Sequence, residues 1–106
     1  MKPVTHWSDG MNKTERAYAD HLYKLQLAGE ILGYRFEGVK LRLADATFYT
    51  PDFLVVTPHR FEFHEVKGFW RDDARVKIKV AAFQYPWFKF FVLKKVGKLG
   101  WESKAV

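Results

Sequence analysis

The fold of this chain depends most on residues 48–67, which carry the sequence FYTPDFLVVTPHRFEFHEVK. Two runs rich in β-branched and aromatic residues flank Pro58-His59, a dipeptide typical of turns. The pattern predicts a β-hairpin whose strands lie in residues 48–56 and 60–67. A turn centred between Pro58 and His59 places Leu54 opposite Phe63. Because proline cannot adopt the positive φ of a primed two-residue turn, we expect a longer, four-residue loop.

The same register places three charged side chains together at one end of the hairpin. Asp52 lies opposite Glu65, with Cβ atoms roughly 4.5–5.5 Å apart, and alternation puts Lys67 on the same face. The rest of that face is apolar and consists of Leu54, Val56, Phe61 and Phe63. Two facing carboxylates repel each other, and their partial burial costs several kcal/mol unless a proton or a cation compensates.

A divalent metal ion would provide this compensation. Mg²⁺ binds one or two carboxylates together with waters and substrate phosphate oxygens. Lys67 can then orient or activate an attacking water, or stabilise the charge that develops on phosphorus. An ordinary salt-bridged cluster at the end of a sheet is the alternative.

A first helix is predicted ahead of the hairpin. Asn12 and Glu15 have the spacing of a capping box, and helix formers continue to Ala28, just before Gly29. The inner face of this helix is predicted to contain Tyr18, Leu22 and Leu25. Counting back three residues from Tyr18 reaches Glu15, so this carboxylate can serve the site as well as the cap.

The complete order of elements predicts an α/β fold. A second helix is expected from Asp72 or Asp73 to about Gln84, with Val76, Val80 and Phe83 on its core side. Besides the hairpin, further strands are expected at residues 34–37, 39–43 and 87–96. This order of helix, three or so strands, helix and strand predicts a mainly mixed sheet with a crossover helix.

Composition excludes several classes of protein. With 48% hydrophobic and 28% charged residues, the chain has the profile of a single globular domain. We expect that domain in residues 12–96, between a loosely ordered N-terminal tail (1–11) and a C-terminal tail (97–106). The absence of cysteine excludes disulfide frameworks, zinc ribbons and cysteine nucleophiles. No phosphate-binding glycine loop, serine-hydrolase elbow, secretion signal or membrane-length apolar run is visible, so a cytoplasmic location is expected.

The excess positive charge lies in the second half of the chain. Residues 1–59 carry seven basic and seven acidic side chains, whereas residues 60–106 carry eleven basic and five acidic ones. Cations recur every four residues in the second helix, at Arg71, Arg75 and Lys79. Such a stripe suits a phosphate backbone, although a solvated helix face explains it as well. Phe69 and Trp70 are candidates for stacking on unpaired bases or for core packing.

The hairpin and the helix before it together resemble the PD-(D/E)XK nuclease superfamily, which includes restriction enzymes and Holliday junction resolvases. The resemblance rests on Pro51-Asp52, on Glu65-Val66-Lys67 and on the helix that carries Glu15. Residues 12–95 also resemble a group of small phage and prophage proteins of that superfamily. The resemblance implies a restriction-endonuclease-like αβββαβ core, with helices flanking a central mixed sheet.

The resemblance also implies roles for single residues. Lys67 would be the catalytic lysine. Three carboxylates and one backbone carbonyl would bind Mg²⁺ or Mn²⁺, namely those of Asp52, Glu65, Glu15 and Val66. The second helix often supplies an assisting residue in this superfamily, and the candidates here are Lys77, Lys79 and Gln84. Contacts with nucleic acid are expected from Arg71, Arg75, Lys77 and Lys79.

The expected function is therefore metal-dependent cleavage of DNA phosphodiester bonds in phage or prophage DNA metabolism, in the bacterial host cytoplasm. So short a chain favours recognition of shape, such as a branched junction, over recognition of a long sequence. Paired incision of two strands requires a homodimer, for which the C-terminal strand, residues 87–96, is the candidate interface. The alternatives are a non-catalytic nucleic-acid-binding module on a nuclease scaffold and a nuclease that cleaves RNA.

Overall fold

A computed structural model of the chain describes residues 10–67, 72–98 and 100–106. The predictions for Phe69, Trp70 and Arg71, and for residues 1–9 of the N-terminal tail, lie outside the described residues. The elements, in chain order, are α1 (Lys13–Leu27), β1 (Gly33–Phe36), β2 (Leu41–Ala44), β3 (Thr47–Tyr49), β4 (Phe53–Val56), β5 (Phe61–Lys67), α2 (Asp72–Gln84), β6 (Lys89–Val96) and β7 (Gly100–Ala105).

A five-stranded mixed sheet forms the centre of the molecule. Its strand order is β1-β4-β5-β6-β7, and β2 pairs with β3 in a separate two-stranded sheet. The pairs β1-β4, β4-β5 and β6-β7 are antiparallel, whereas β5 and β6 are parallel. Parallel neighbours need a crossover connection, and α2 lies in it. The predicted α/β class and mixed sheet are confirmed.

The predicted register of the hairpin is confirmed. Leu54 pairs with Phe63 and Val56 with Phe61. The Thr57 N–H donates to the carbonyl of Arg60 over 2.9 Å, which closes a four-residue loop.

The prediction of one strand across residues 48–56 is wrong. The segment divides into β3 and β4 on either side of Pro51, which has no N–H for a sheet ladder. The two parts belong to different sheets.

Helix α1 agrees with its sequence prediction. Asn12 is the N-cap, the capping box with Glu15 is present, and Gly29 ends the helix region at φ +79°. Tyr18 and Leu22 are buried against one face of the sheet, where they join the cluster of Phe53, Val55, Val66 and Leu93. Met11, placed in the predicted tail, is also buried in this cluster.

A series of side-chain hydrogen bonds, the polar chain, connects α1 to the hairpin. The side chains of Tyr18 and His64 share a hydrogen bond of 2.6 Å at Nδ1, and His64 Nε2 lies 2.9 Å from Glu62 Oε1. Arg60 Nε in turn donates to Glu62 Oε2 over 2.8 Å. His64 is buried, and its role in the fold is structural.

The predicted core side of α2 is wrong. Val76 and Phe83 are 59% and 86% exposed, while Ile78 and Ala81 are buried against Phe63 and Phe90. Of the three predicted residues only Val80 packs against this cluster, and it is partly buried. Both sets of residues have helical spacing, so periodicity alone does not choose between them. Contacts with β2, β3 and β6 decide the outcome, because α2 covers parts of both sheets.

The predicted C-terminal tail is wrong as well. Gly97, at φ +64°, lies in the turn after β6, and Gly100–Ala105 then returns as β7. This strand was missed because its side chains are mostly exposed and show no apolar alternation. Strand β6, which contains most of the candidate dimer interface, is consequently internal to the sheet, between β5 and β7. Among the described residues, no helix is both long and apolar enough to cross a membrane.

Candidate functional site

Two acidic side chains lie side by side where the hairpin strands end. Asp52 immediately precedes β4, and Glu65 lies near the end of β5. The Asp52 N–H donates to Glu65 Oε1 over 3.2 Å, and the Val66 N–H donates to Asp52 Oδ2 over 2.8 Å. Each strand thus donates a backbone hydrogen bond to the carboxylate of the other, which fixes both acids at this end of the hairpin.

Tyr49 and Lys67 complete the cluster around Glu65. The Tyr49 hydroxyl donates to Glu65 Oε1 over 2.6 Å, and Lys67 Nζ lies 3.7 Å from Glu65 Oε2. The side chains of Lys67 and Glu65 are only 9% and 13% exposed. We define the carboxylate site as Asp52, Glu65, Lys67 and Tyr49.

Burial strongly changes proton affinity at the carboxylate site. Burial first, and then the charge of Glu65, raise the pKa of Asp52 to about 8. Burial also raises the pKa of Glu65, against the opposing effects of the Tyr49 hydrogen bond and Lys67. Burial and the nearby Glu65 raise the pKa of the Tyr49 phenol, which therefore stays a neutral donor. Two adjacent carboxylates beside the one positive charge of Lys67 favour an added proton or cation.

Glu15 caps α1, as predicted, and it also affects the pKa of Asp52. Its Oε1 accepts from the Asn12 N–H over 2.9 Å, and its own N–H donates to Asn12 Oδ1 over 2.8 Å. The charge of Glu15 also contributes to the raised pKa of Asp52. The carboxylate therefore caps α1 and acts electrostatically on the carboxylate site.

The donor set suits a hard cation that keeps most of its waters. Across residues 10–67, 72–98 and 100–106, no three His, Cys, Asp or Glu side chains converge as a metal cage. Mg²⁺ needs no such cage, since it is bound in proteins by one or two carboxylates with waters and phosphate oxygens. Asp52 and Glu65 supply that number of carboxylates, and burial raises the pKa of both.

A basic groove lies on the same face of the sheet as the carboxylate site. It encloses about 460 Å³, its cations are Arg75, Lys79 and Lys104, and its floor contains Ile78 and Val92. We call it the basic groove.

The strand register gives the distance between the basic groove and the carboxylate site. Val92 pairs with Glu65 on one side and with Lys104 on the other. Since neighbouring strands lie about 4.8 Å apart, the Cα atom of Lys104 is roughly 10 Å from that of Glu65. The cations of the basic groove and the carboxylates of the carboxylate site can thus lie beside neighbouring groups of one polyanion.

The remaining predicted residues of α2 do not join the basic groove. Lys77 is half-buried and lies about 200° around the helix from Arg75. Gln84 donates from Nε2 to the Leu43 carbonyl over 2.8 Å, which ties α2 to the two-stranded sheet. Of the three candidates for an assisting residue, only Lys79 lines the groove.

Sequence reasoning missed Tyr49 and Lys104. Tyr49 belongs to β3, in a sheet separate from the hairpin, so no register within one sheet relates it to Glu65. Lys104 belongs to β7, which was expected to be a tail. The one sequence signal that Tyr49 belongs to the carboxylate site is its position three residues before Asp52. Comparisons with known protein families, with curated proteins and with solved structures found no match for this chain.

Proposed function

We propose that this chain is a metal-dependent endonuclease of the PD-(D/E)XK type that hydrolyses DNA phosphodiester bonds. The observation that carries the proposal is the carboxylate site, where Asp52 and Glu65 share backbone hydrogen bonds beside the buried ammonium of Lys67. Two facing carboxylates with raised pKa values are a liability for stability. Such groups are typical of a catalytic or metal site.

The topology supports this proposal. Elements α1, β1, β4, β5, α2 and β6 follow one another in the αβββαβ order, with three antiparallel strands and a parallel fourth. The small sheet of β2 and β3 and the edge strand β7 are then additions to that core. In this arrangement the two acids and the lysine occupy the end of the central hairpin.

The residues of the site have distinct roles in the proposed reaction. Asp52, Glu65 and the backbone carbonyl of Val66 would hold Mg²⁺ or Mn²⁺, with Glu15 as a more remote acidic group. When bound, such an ion polarises the phosphate and lowers the pKa of its water. Lys67 places a positive charge where negative charge develops on the phosphate during attack. Tyr49 and the Asp52 N–H orient Glu65 by holding its Oε1 atom.

The basic groove supports a nucleic acid as the substrate. Arg75, Lys79 and Lys104 are placed to bind phosphates next to the one that is cleaved. Branched or junction DNA in phage or prophage metabolism is the substrate we propose. Incision of both strands would need a homodimer, with β1 and β7 as the edges of the main sheet.

The same groove is also the observation that favours the alternative, a non-catalytic nucleic-acid-binding module. A pure binder gains nothing from two carboxylates that repel phosphate within roughly 10 Å of its cations. The nuclease proposal accounts for both the basic groove and the carboxylates, whereas the binding module accounts for the basic groove alone.

Cleavage assays separate these proposals. Labelled four-way junction, flap, single-stranded and linear duplex DNA are incubated with Mg²⁺, with Mn²⁺ or with EDTA. We expect metal-dependent cutting, fastest on branched DNA, that falls at least about 100-fold in Glu65→Gln and in Lys67→Met. Glu102→Gln is the matched control, because Glu102 is an exposed acid on β7. Binding of all substrates without cutting, equal with and without metal, would establish the binding module instead.

A further inference from the structure

Two aromatic rings are left in solvent at the C-terminal end of α2. Phe83, in the last turn, is 86% exposed, and Trp87, in the turn before β6, is 76% exposed. They are the most exposed of the large hydrophobic side chains among the described residues. Rings exposed to this extent contribute little to the stability of the domain, and they are candidates for a binding surface.

Phe83 continues a line of cations along α2, and Trp87 follows in the turn after the helix. Each step of four residues turns about 40° around a helix, so Arg75, Lys79 and Phe83 follow one exposed ridge that turns by about 80° in all. The axial distance from Arg75 to Phe83 is about 12 Å. Arg75 and Lys79 also line the basic groove. We call Arg75, Lys79, Phe83 and Trp87 the α2 ridge.

We propose that the α2 ridge binds a single-stranded nucleic-acid arm, with phosphates at Arg75 and Lys79 and unpaired bases stacked on Phe83 and Trp87. A positively charged groove combined with exposed aromatic rings is the arrangement by which proteins bind single strands without sequence preference. The inference rests on the proposed function, because the arm enters the basic groove beside the carboxylate site. It specifies a substrate with an unpaired segment.

Charge favours a nucleic acid over a second copy of the chain as the partner that binds the α2 ridge. A copy docked symmetrically on the same ridge would bring two sets of Arg75 and Lys79 together. A polyanion instead neutralises them. Fully paired duplex is also a poor fit, because its bases are stacked inside the helix and their faces cannot reach Phe83 or Trp87.

Binding is measured by fluorescence anisotropy in EDTA, so that no cleavage occurs. The probes are a labelled oligothymidylate and a duplex of the same length. We expect Phe83→Ala and Trp87→Ala each to weaken oligothymidylate binding by between about five-fold and 150-fold, with duplex binding changed less than about two-fold. Trp87→Phe should keep most of the affinity, since it keeps a ring.

The matched control is Leu27→Ala with Leu32→Ala, because these side chains are 64% and 61% exposed away from the α2 ridge. Unchanged oligothymidylate affinity in the ring variants would overturn the proposal, as would an equal loss for both probes. A shift from dimer to monomer on sedimentation of Phe83→Ala would identify a self-association surface instead. Because the readout is binding in EDTA, failure of the nuclease proposal would appear separately, as absence of cutting with metal.

Discussion

Asp52→Asn should change how the stability of the metal-free protein depends on pH. The pKa of Asp52 is raised from its ordinary value of 3.8 to about 8, chiefly by burial. Folding therefore takes up a proton between these two pH values. The contribution of this group to the free energy of unfolding is fully present below about pH 4 and is lost as pH rises through about 8.

The size of the effect follows from the linkage relation. One group that is protonated when folded and ionised when unfolded lowers the free energy of unfolding by about 1.4 kcal/mol per pH unit. Between pH 5 and pH 7 the free energy of unfolding falls by at most about 2.7 kcal/mol. Solvent relaxation around the acids reduces this fall toward about 1 kcal/mol. Asparagine has no such proton, and its amide oxygen can still accept from the Val66 N–H.

The assay is urea denaturation in EDTA at several pH values between 5 and 8, followed by circular dichroism. The native protein should lose about 1–3 kcal/mol relative to Asp52→Asn as pH rises from 5 to 7. The control is Asp45→Asn, because the Asp45 side chain is fully exposed and should leave the slope unchanged. Parallel pH profiles for the native protein and Asp52→Asn would refute the argument that Asp52 is an undercompensated buried acid.

Four further perturbations test other parts of the structure. Tyr18→Phe should destabilise the protein by about 1–2 kcal/mol in urea denaturation, since it removes the hydrogen-bond partner of His64 Nδ1; no loss would mean that this hydrogen bond is not needed for stability. Asn12→Ala should lower the melting temperature through a loss of about 1 kcal/mol from the capping box, and an unchanged temperature would contradict that role. Leu22→Ala should cost about 2–5 kcal/mol because the side chain is fully buried, and a loss below 1 kcal/mol would argue against this packing. Lys104→Gln should weaken duplex binding and lower its log–log salt slope by about one, whereas an unchanged slope would mean that Lys104 binds no phosphate.

The features that the sequence predicted correctly are set by residues close together in the chain. The hairpin register depends on alternation around a single loop, so the pairing of Leu54 with Phe63 could be worked out from position alone. The cap of α1 is equally local, because Asn12 and Glu15 are three residues apart. The meeting of Asp52 and Glu65 follows from that same register.

The features that the sequence did not predict depend on contacts between distant segments. The buried side of α2 is chosen by two sheets at once, and the apolar stripe of Val76 and Phe83 matched helical spacing as well as the buried stripe did. Strand β7 is defined by its pairing with β6 rather than by its own composition. Tyr49 reaches Glu65 from a second sheet. No local pattern contains that information.

The most direct test of the central claim, that Asp52 and Glu65 form a cation site, is calorimetric titration of the protein with Mn²⁺ near pH 7. We predict saturable binding that releases protons, seen as a heat that changes with the ionisation enthalpy of the buffer, because the raised pKa of Asp52 keeps it protonated before the cation binds. Asp52→Asn and Glu65→Gln should weaken this binding at least about tenfold, and Asp45→Asn should not. No binding by the native protein, or equal binding by all four proteins, would contradict the claim.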